Sequence, residues 1–175
     1  GADISLKPKV LSALGVVDGD ADLTGQLCSG TYESMGRCIY KTLAENGVKI
    51  PENIDLKAVT VEAYHKNLHA GKIAPLCDGL AEILKNLKMR GIRLAAVTTD
   101  DPYFTEKCLK TLGIYEIFDE IYTDDGVFPT KPNPFCIEKF CGDFNLDRKE
   151  VVMVGDTLTD TAFAKNGGIF CIGTA

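Results

Sequence analysis

The sequence predicts an α/β protein: a parallel sheet flanked by helices over residues 75–175, with a separate, smaller helical domain over residues 1–74. Three observations lead there. Up to about residue 74, apolar side chains recur at three- and four-residue spacings and no convincing strand is present. From about residue 75, short apolar runs alternate with amphipathic stretches, the pattern of a parallel sheet covered on both faces. The apolar runs end in hydroxyl and carboxylate residues, where ligands bind in such sheets.

The elements follow in order. "KVLSALGVVDGDADLTG" reads as the end of a helix followed by a polar turn at Asp18-Gly19. In "YESMGRCIYKTLAENG", Tyr32, Met35, Cys38, Ile39 and Leu43 form a helical stripe that stops at Gly47. "LKAVTVEAYHKNLHAG" repeats the arrangement through Val59, Ala63 and Leu68 and stops at Gly71. "CDGLAEILKNLKMRG" is an amphipathic helix with Asp78 as N-cap and Gly91 beyond its end. "IRLAAVTTD" is a short buried strand, and "DPYFTEKCLKTLG" a helix with Pro102 in its first turn. "IFDEIYT" is a strand, "NPFCIEKFCGDF" a helix, "VVMVGD" a strand, "LTDTAFAKNGG" a helix and "IFCIGT" a strand.

Composition narrows the function. The net charge is -6 and no basic stripe is present, which argues against nucleic acid as a partner. No apolar run reaches the length of a membrane span, and no signal-peptide pattern opens the chain. The opening "GADISLKPK" lacks a methionine, so a processed or truncated product is expected. Seven cysteines, an odd number with no Cys-x-x-Cys pair, point to a reducing, cytoplasmic compartment without a disulfide framework.

Chemistry concentrates at the ends of the strands. The first ends at Thr98-Thr99-Asp100, the loop after the second carries Lys131, and the third ends at Asp156 with Asp160 four positions on. A hydroxyl, an ammonium and two carboxylates suit a metal-assisted phosphate site. The carboxylates hold a hard cation such as Mg²⁺, and the lysine and hydroxyl meet the phosphoryl oxygens. Each residue alone has a plainer reading. Asp156 could cap a helix, Asp160 could lie on a solvated helix face, Thr98 is a good strand former, and Lys131 could be a solvated loop residue. The joint spacing favours the site. His65 and His69 also have metal-ligand spacing, but Lys66 stands where the zinc motif has glutamate, so a solvated helix face is the better reading.

On these motifs the chain resembles the haloacid dehalogenase superfamily of phosphatases and related hydrolases. The resemblance covers residues 75–173: "IRLAAVTTD" is similar to its second motif, "TKPNP" to its third and "VVMVGDTLTD" to its fourth, with "LGIYEIFDEIYTDDGV" between them and "AKNGG" after. Residues 1–74 resemble the helical cap found in members such as the phosphoglycolate phosphatases and beta-phosphoglucomutases. The resemblance implies a Rossmann-like core, a Mg²⁺ cofactor, a small phosphate ester as partner and an aspartyl-phosphate intermediate in a monomer or homodimer. It also implies roles: Thr98, Thr99 and Lys131 at the phosphoryl group, Asp156 as metal ligand, and Asp160 ligating the metal or orienting its water, with backbone groups near Thr99 and Asp100 touching the phosphate. A mutase or dehalogenase is the nearest alternative chemistry, and a non-catalytic binding protein the alternative of another class.

The family's first motif, a buried strand ending in Asp-x-Asp whose first carboxylate attacks phosphorus, has no good counterpart. The one Asp-x-Asp is Asp18-Gly19-Asp20, which follows only a short apolar run with a glycine in it. The expectation is that this strand, which lies in the family between those ending at Thr98 and Asp156, is absent and the chain inactive alone.

Overall fold

A computed structural model describes residues 4–22, 24–68 and 70–174. A 3₁₀ turn leads into α1 (Lys7–Ala13), which has Pro8 in its first turn. A small antiparallel hairpin follows, β1 (Val16–Val17) pairing with β2 (Asp20–Ala21). Asp18 at φ 53° and Gly19 at φ 93° fill the two left-handed positions that a two-residue hairpin loop demands. The turn was legible in the sequence. The strands on either side were not, because two residues are too few to establish an alternation.

After the short α2 (Gln26–Ser29), α3 (Tyr32–Glu45) and α4 (Leu56–Asn67) pack against each other. Thr31 and Ser34 close a capping box on α3, and the Asp55 carboxylate accepts from the Ala58 N–H at 2.9 Å to cap α4. Leu14, Tyr32 and Met35 are buried at the centre, with Val10, Leu27, Ile39, Val61 and Tyr64 packed around them. The Tyr32 and Tyr64 rings meet edge to face, centroids 5.1 Å apart. The face expected for α4 is corrected here. Val59 is 49% exposed, while Thr60 is buried. Thr60 tolerates this position because its hydroxyl donates to the Leu56 carbonyl at 2.8 Å. Leu68, counted into the helical stripe, lies past the helix end in an extended conformation.

The remainder alternates: α5 (Leu80–Met89), β3 (Ala95–Val97), α6 (Pro102–Thr111), β4 (Glu120–Tyr122), α7 (Phe135–Phe144), β5 (Val152–Gly155), α8 (Leu158–Gly167) and β6 (Phe170–Gly173). This is the mixed α/β alternation that the periodicity indicated, in the Rossmann-like form that the family resemblance implied. One cap differs. Gly79, left-handed at φ 75°, stands at the start of α5, and Asp78 lies exposed just before it without capping the helix.

The strands form two parallel pairs instead of the single sheet expected. β3 runs beside β4, with Ala95 opposite Glu120 and Val97 opposite Tyr122. β5 runs beside β6, with Val152 opposite Phe170 and Gly155 opposite Gly173. Among the described residues no ladder joins the pairs, so each of the four strands, β3 and β5 among them, keeps one unpaired backbone edge. A shared core holds the pairs together: Tyr122 from β4, Cys136, Ile137 and Phe140 from α7, and Phe163 from α8, with Ala95, Val97 and Met153 against them. The β5–β6 pair is covered on one face only. Met153 and Cys171 are partly buried, while Val152, Val154, Phe170 and Ile172 are 50–72% exposed. The expectation of a sheet covered on both faces therefore fails for this pair. Among the described residues no helix is long and apolar enough to cross a membrane.

Candidate active site

A cavity of about 260 Å³ opens where the helical part faces the carboxyl ends of β3 and β5. Thr98, Thr99, Lys131, Asp156 and Asp160 all line it, and Cys28, Ser29, Tyr32, Met35 and Tyr64 line its helical side. Thr98 and Asp156 are the residues immediately after Val97 and Gly155, the last residues of their strands. The two strand ends therefore deliver a hydroxyl and a carboxylate to one cavity.

The most fully partnered part of the site is a buried ion pair. Lys131 Nζ donates to Asp160 Oδ1 at 2.6 Å, with the two side chains 11% and 5% exposed. The other oxygen, Asp160 Oδ2, accepts from the Thr157 hydroxyl at 2.7 Å and the Thr157 N–H at 3.1 Å. Burial alone would raise the Asp160 carboxyl. The hydrogen bonds from Lys131 and Thr157, with the lysine charge, outweigh it and hold the group below its ordinary value. Thr157, not Asp156, caps α8, in a reciprocal box with Asp160. The sequence did carry that signal, since Thr157-Leu158-Thr159-Asp160 is a capping-box spacing.

Released from capping, Asp156 is exposed, and its carboxylate makes no hydrogen bond or ion pair with any described residue. Among the described residues no group of three or more His, Cys, Asp or Glu side chains is placed to hold a metal ion. Magnesium needs no such cage, because it is bound through one or two carboxylates, several waters and substrate phosphate. The unengaged Asp156 oxygens fit that manner of binding. Asp160 is already taken up by Lys131 and Thr157.

The Thr98 N–H donates to the Tyr122 carbonyl at 2.9 Å, which continues the β3–β4 ladder and fixes the backbone there. Its hydroxyl donates to Asp100 Oδ2 at 2.9 Å and accepts from the Asp100 N–H at 3.1 Å. Asp100 was read from sequence only for its backbone, yet its carboxylate also lines the cavity. The Tyr32 hydroxyl reaches it from α3 at 3.4 Å. Burial pushes the Asp100 carboxyl above its ordinary value, against the hydrogen bonds from Thr98 and Tyr32. No local pattern could have signalled this contact between residues 68 positions apart.

Gly155 is where the strand passes closest to the ion pair. A Cβ there would lie 2.5 Å from both Cγ and Oδ2 of Asp160. Asp160 is held on three sides and cannot swing away. Gly155→Ala is therefore expected to cost about 1–3 kcal/mol and to displace the Lys131–Asp160 pair. The denaturant midpoint measures this, and a midpoint within error of the unsubstituted chain would rule it out.

Other candidates fall away from the cavity. Asp18 and Asp20 are exposed on the hairpin and do not line it. His65 meets Asp101, the N-cap of α6, at 2.9 Å, and His69 lies outside the described residues.

Known proteins resemble the chain in sequence and in fold. A family model described as haloacid dehalogenase-like hydrolase matches residues 28–174. "Pyrophosphatase PpaX" of Halalkalibacterium halodurans is 33% identical over 133 residues, covering 75% of this chain and 61% of that protein. A phosphoglycolate phosphatase of Thiobacillus denitrificans is 32% identical over 110 residues, covering 62% of this chain and 47% of that one. The chain thus spans about half to three-fifths of the length of these curated relatives. A crystal structure described as "a predicted phosphoglycolate phosphatase" from Haemophilus somnus shares the fold, with a TM-score of 0.74 at 23% identity over 94% of this chain and 74% of that one.

Proposed function

The chain belongs to the haloacid dehalogenase-like hydrolase family, and from that premise we propose that it forms the phosphate- and metal-binding part of a phosphatase acting on a small phosphomonoester. The observation that carries the reading is the convergence of Thr98, Thr99, Lys131, Asp156 and Asp160 on one cavity at the strand ends. Relatives named as a pyrophosphatase and a phosphoglycolate phosphatase support hydrolysis at a phosphoryl group of a small molecule and leave the identity of the leaving group open.

Each residue has a role. Lys131 places its ammonium beside the phosphoryl oxygens, and Asp160, 2.6 Å away, keeps that ammonium fixed in place. Thr98 turns its hydroxyl from Asp100 to the phosphoryl group, and the backbone N–H groups after β3 complete the cradle. Asp156 holds Mg²⁺ with its unengaged oxygens. When bound, the ion neutralises charge that builds up on the phosphoryl oxygens. The helical part closes the cavity and excludes water. Residues 1–74 act as the cap and residues 75–175 as the core of a monomer or homodimer, in a reducing, cytoplasmic setting that suits seven unpaired cysteines.

The attacking carboxylate belongs, in this reading, to a strand ending in Asp-x-Asp that occupies the space between β3 and β5. The unpaired edges of those two strands support it. The chain without that strand binds phosphate and does not cleave its esters.

Calorimetric titration of the chain with inorganic phosphate, with and without Mg²⁺, tests the site. Phosphate is expected to bind, more tightly with Mg²⁺, and Asp156→Asn is expected to remove the gain from the metal. Absence of phosphate binding in both conditions would sink the reading.

A further inference from the structure

We infer that the cavity selects phosphomonoesters whose leaving group is neutral or cationic, and that Asp100, reached by Tyr32 from the helical side, is the residue that selects. This rests on the phosphate-site reading above and extends it to the rest of the substrate.

The argument begins with charge. Among the described residues lining the cavity, the carboxylates are Asp100, Asp156 and Asp160, and the one cation is Lys131, already bound to Asp160 at 2.6 Å. The helical side adds hydroxyl, thioether and aromatic groups but no lysine, arginine or histidine. A phosphoryl group has partners at Lys131, Thr98 and Asp156 with its metal. A second anionic group on the same molecule, such as a carboxylate, finds none.

Position then singles out Asp100. It sits between Thr98, on the phosphoryl side, and Tyr32, on the helical side, accepting 2.9 Å and 3.4 Å hydrogen bonds from them. The leaving group of an ester held at Thr98 and Lys131 must lie towards the helical side, and so beside this carboxylate. Two hydrogen bonds leave a carboxylate with further acceptor capacity. A hydroxyl or ammonium on the leaving group can fill it. Tyr32 is 1% exposed and packed against Tyr64, which fixes its hydroxyl, so Asp100 cannot turn away without losing the 3.4 Å hydrogen bond from it. Beside a partly buried carboxylate a like charge is repelled more strongly than in bulk water.

The titration of Asp100 supports this. Burial raises its carboxyl, with Asp101 raising it further and Thr98, Tyr32 and Lys131 opposing. Tyr64 and Cys108 are further titratable neighbours, each raised by burial and by the Asp100 charge, and the Cys28 thiol lines the same cavity. An anionic leaving group would push Asp100 towards its protonated form, so such a ligand should bind with uptake of a proton. A cationic leaving group should not require one.

The experiment titrates the chain, in Mg²⁺, with inorganic phosphate, phosphoethanolamine and 2-phosphoglycolate at neutral pH. Inorganic phosphate reports on the phosphate site alone. Phosphoethanolamine is expected to bind at least about tenfold more tightly than 2-phosphoglycolate, and Asp100→Asn to erase most of the difference. The ratio of the two affinities should also shrink as pH falls and Asp100 protonates, a readout that needs no variant and so survives a variant that fails to fold. Equal or reversed affinities with phosphate still bound would overturn the inference and leave the phosphate site standing. A preference that persists in Asp100→Asn and is flat with pH would overturn the role of Asp100. No binding of inorganic phosphate would remove the phosphate-site reading and this inference with it.

Discussion

Given Mg²⁺ and a panel of small phosphomonoesters, the 175-residue chain is expected to turn over on the order of 10³-fold or more slowly than the same chain with a strand ending in Asp-x-Asp joined ahead of Gly1. The reason lies in what the cavity's carboxylates are already doing. Asp160 is bound by Lys131 and Thr157, and Asp100 by Thr98 and Tyr32. Asp156 alone is unengaged, and its exposure suits a metal ligand. Among the described residues of the cavity none is left to attack phosphorus, so on the proposed reading the covalent route is closed while positioning and charge neutralisation remain. The added strand has edges to pair with, on β3 and on β5, and would end level with Thr98 and Asp156. Steady-state assay of both proteins side by side is the measurement. Equal rates would defeat the idea and turn attention back to Asp18 and Asp20. Those residues are exposed on the hairpin, and Asp18→Asn would then have to abolish turnover.

Breaking the buried ion pair is expected to have the largest effect on stability. Lys131→Met or Asp160→Asn leaves its partner buried and unmatched, which costs about 3–5 kcal/mol. In a chain of this size that is a fall in Tm on the order of 10 °C. The double variant should lose less than the sum, since neither charge is then stranded. The pH dependence has a definite sign. Asp160 is held below its ordinary value in the folded chain, so its contribution is present above the unfolded carboxyl pKa of about 4 and is lost as pH falls through the lower folded value. The penalty of Asp160→Asn should therefore be full at pH 7 and shrink below about pH 4. Denaturant melts of the three variants across that range are decisive. Single variants within about 1 kcal/mol of the parent would show the pair to be a surface contact in energetic terms.

Much of this molecule was written in local sequence, for a local reason. Helix ends depend on residues within a turn of one another, and Gly47, Gly91 and Pro102 mark theirs where they stand in the chain. The strand ends were equally legible, because an apolar run that breaks into Thr98-Thr99-Asp100 or Gly155-Asp156 changes character within two residues. Those ends, with Lys131 between them in the chain, gather in one cavity, as ligand sites do at the carboxyl ends of strands in α/β proteins. Tertiary structure decided the rest. Whether Val59 or Thr60 faces inward on α4 depends on where α3 lies, and a satisfied hydroxyl prevailed over a methyl pair. Periodicity reports that strands exist and is silent on which neighbours they find, so one expected sheet became two pairs with edges unpaired. The Asp100 carboxylate and the Tyr32 hydroxyl, 68 residues apart, meet only once the helical part folds over the strand ends. Burial there changes the chemistry of a side chain that the sequence presents as an ordinary loop aspartate.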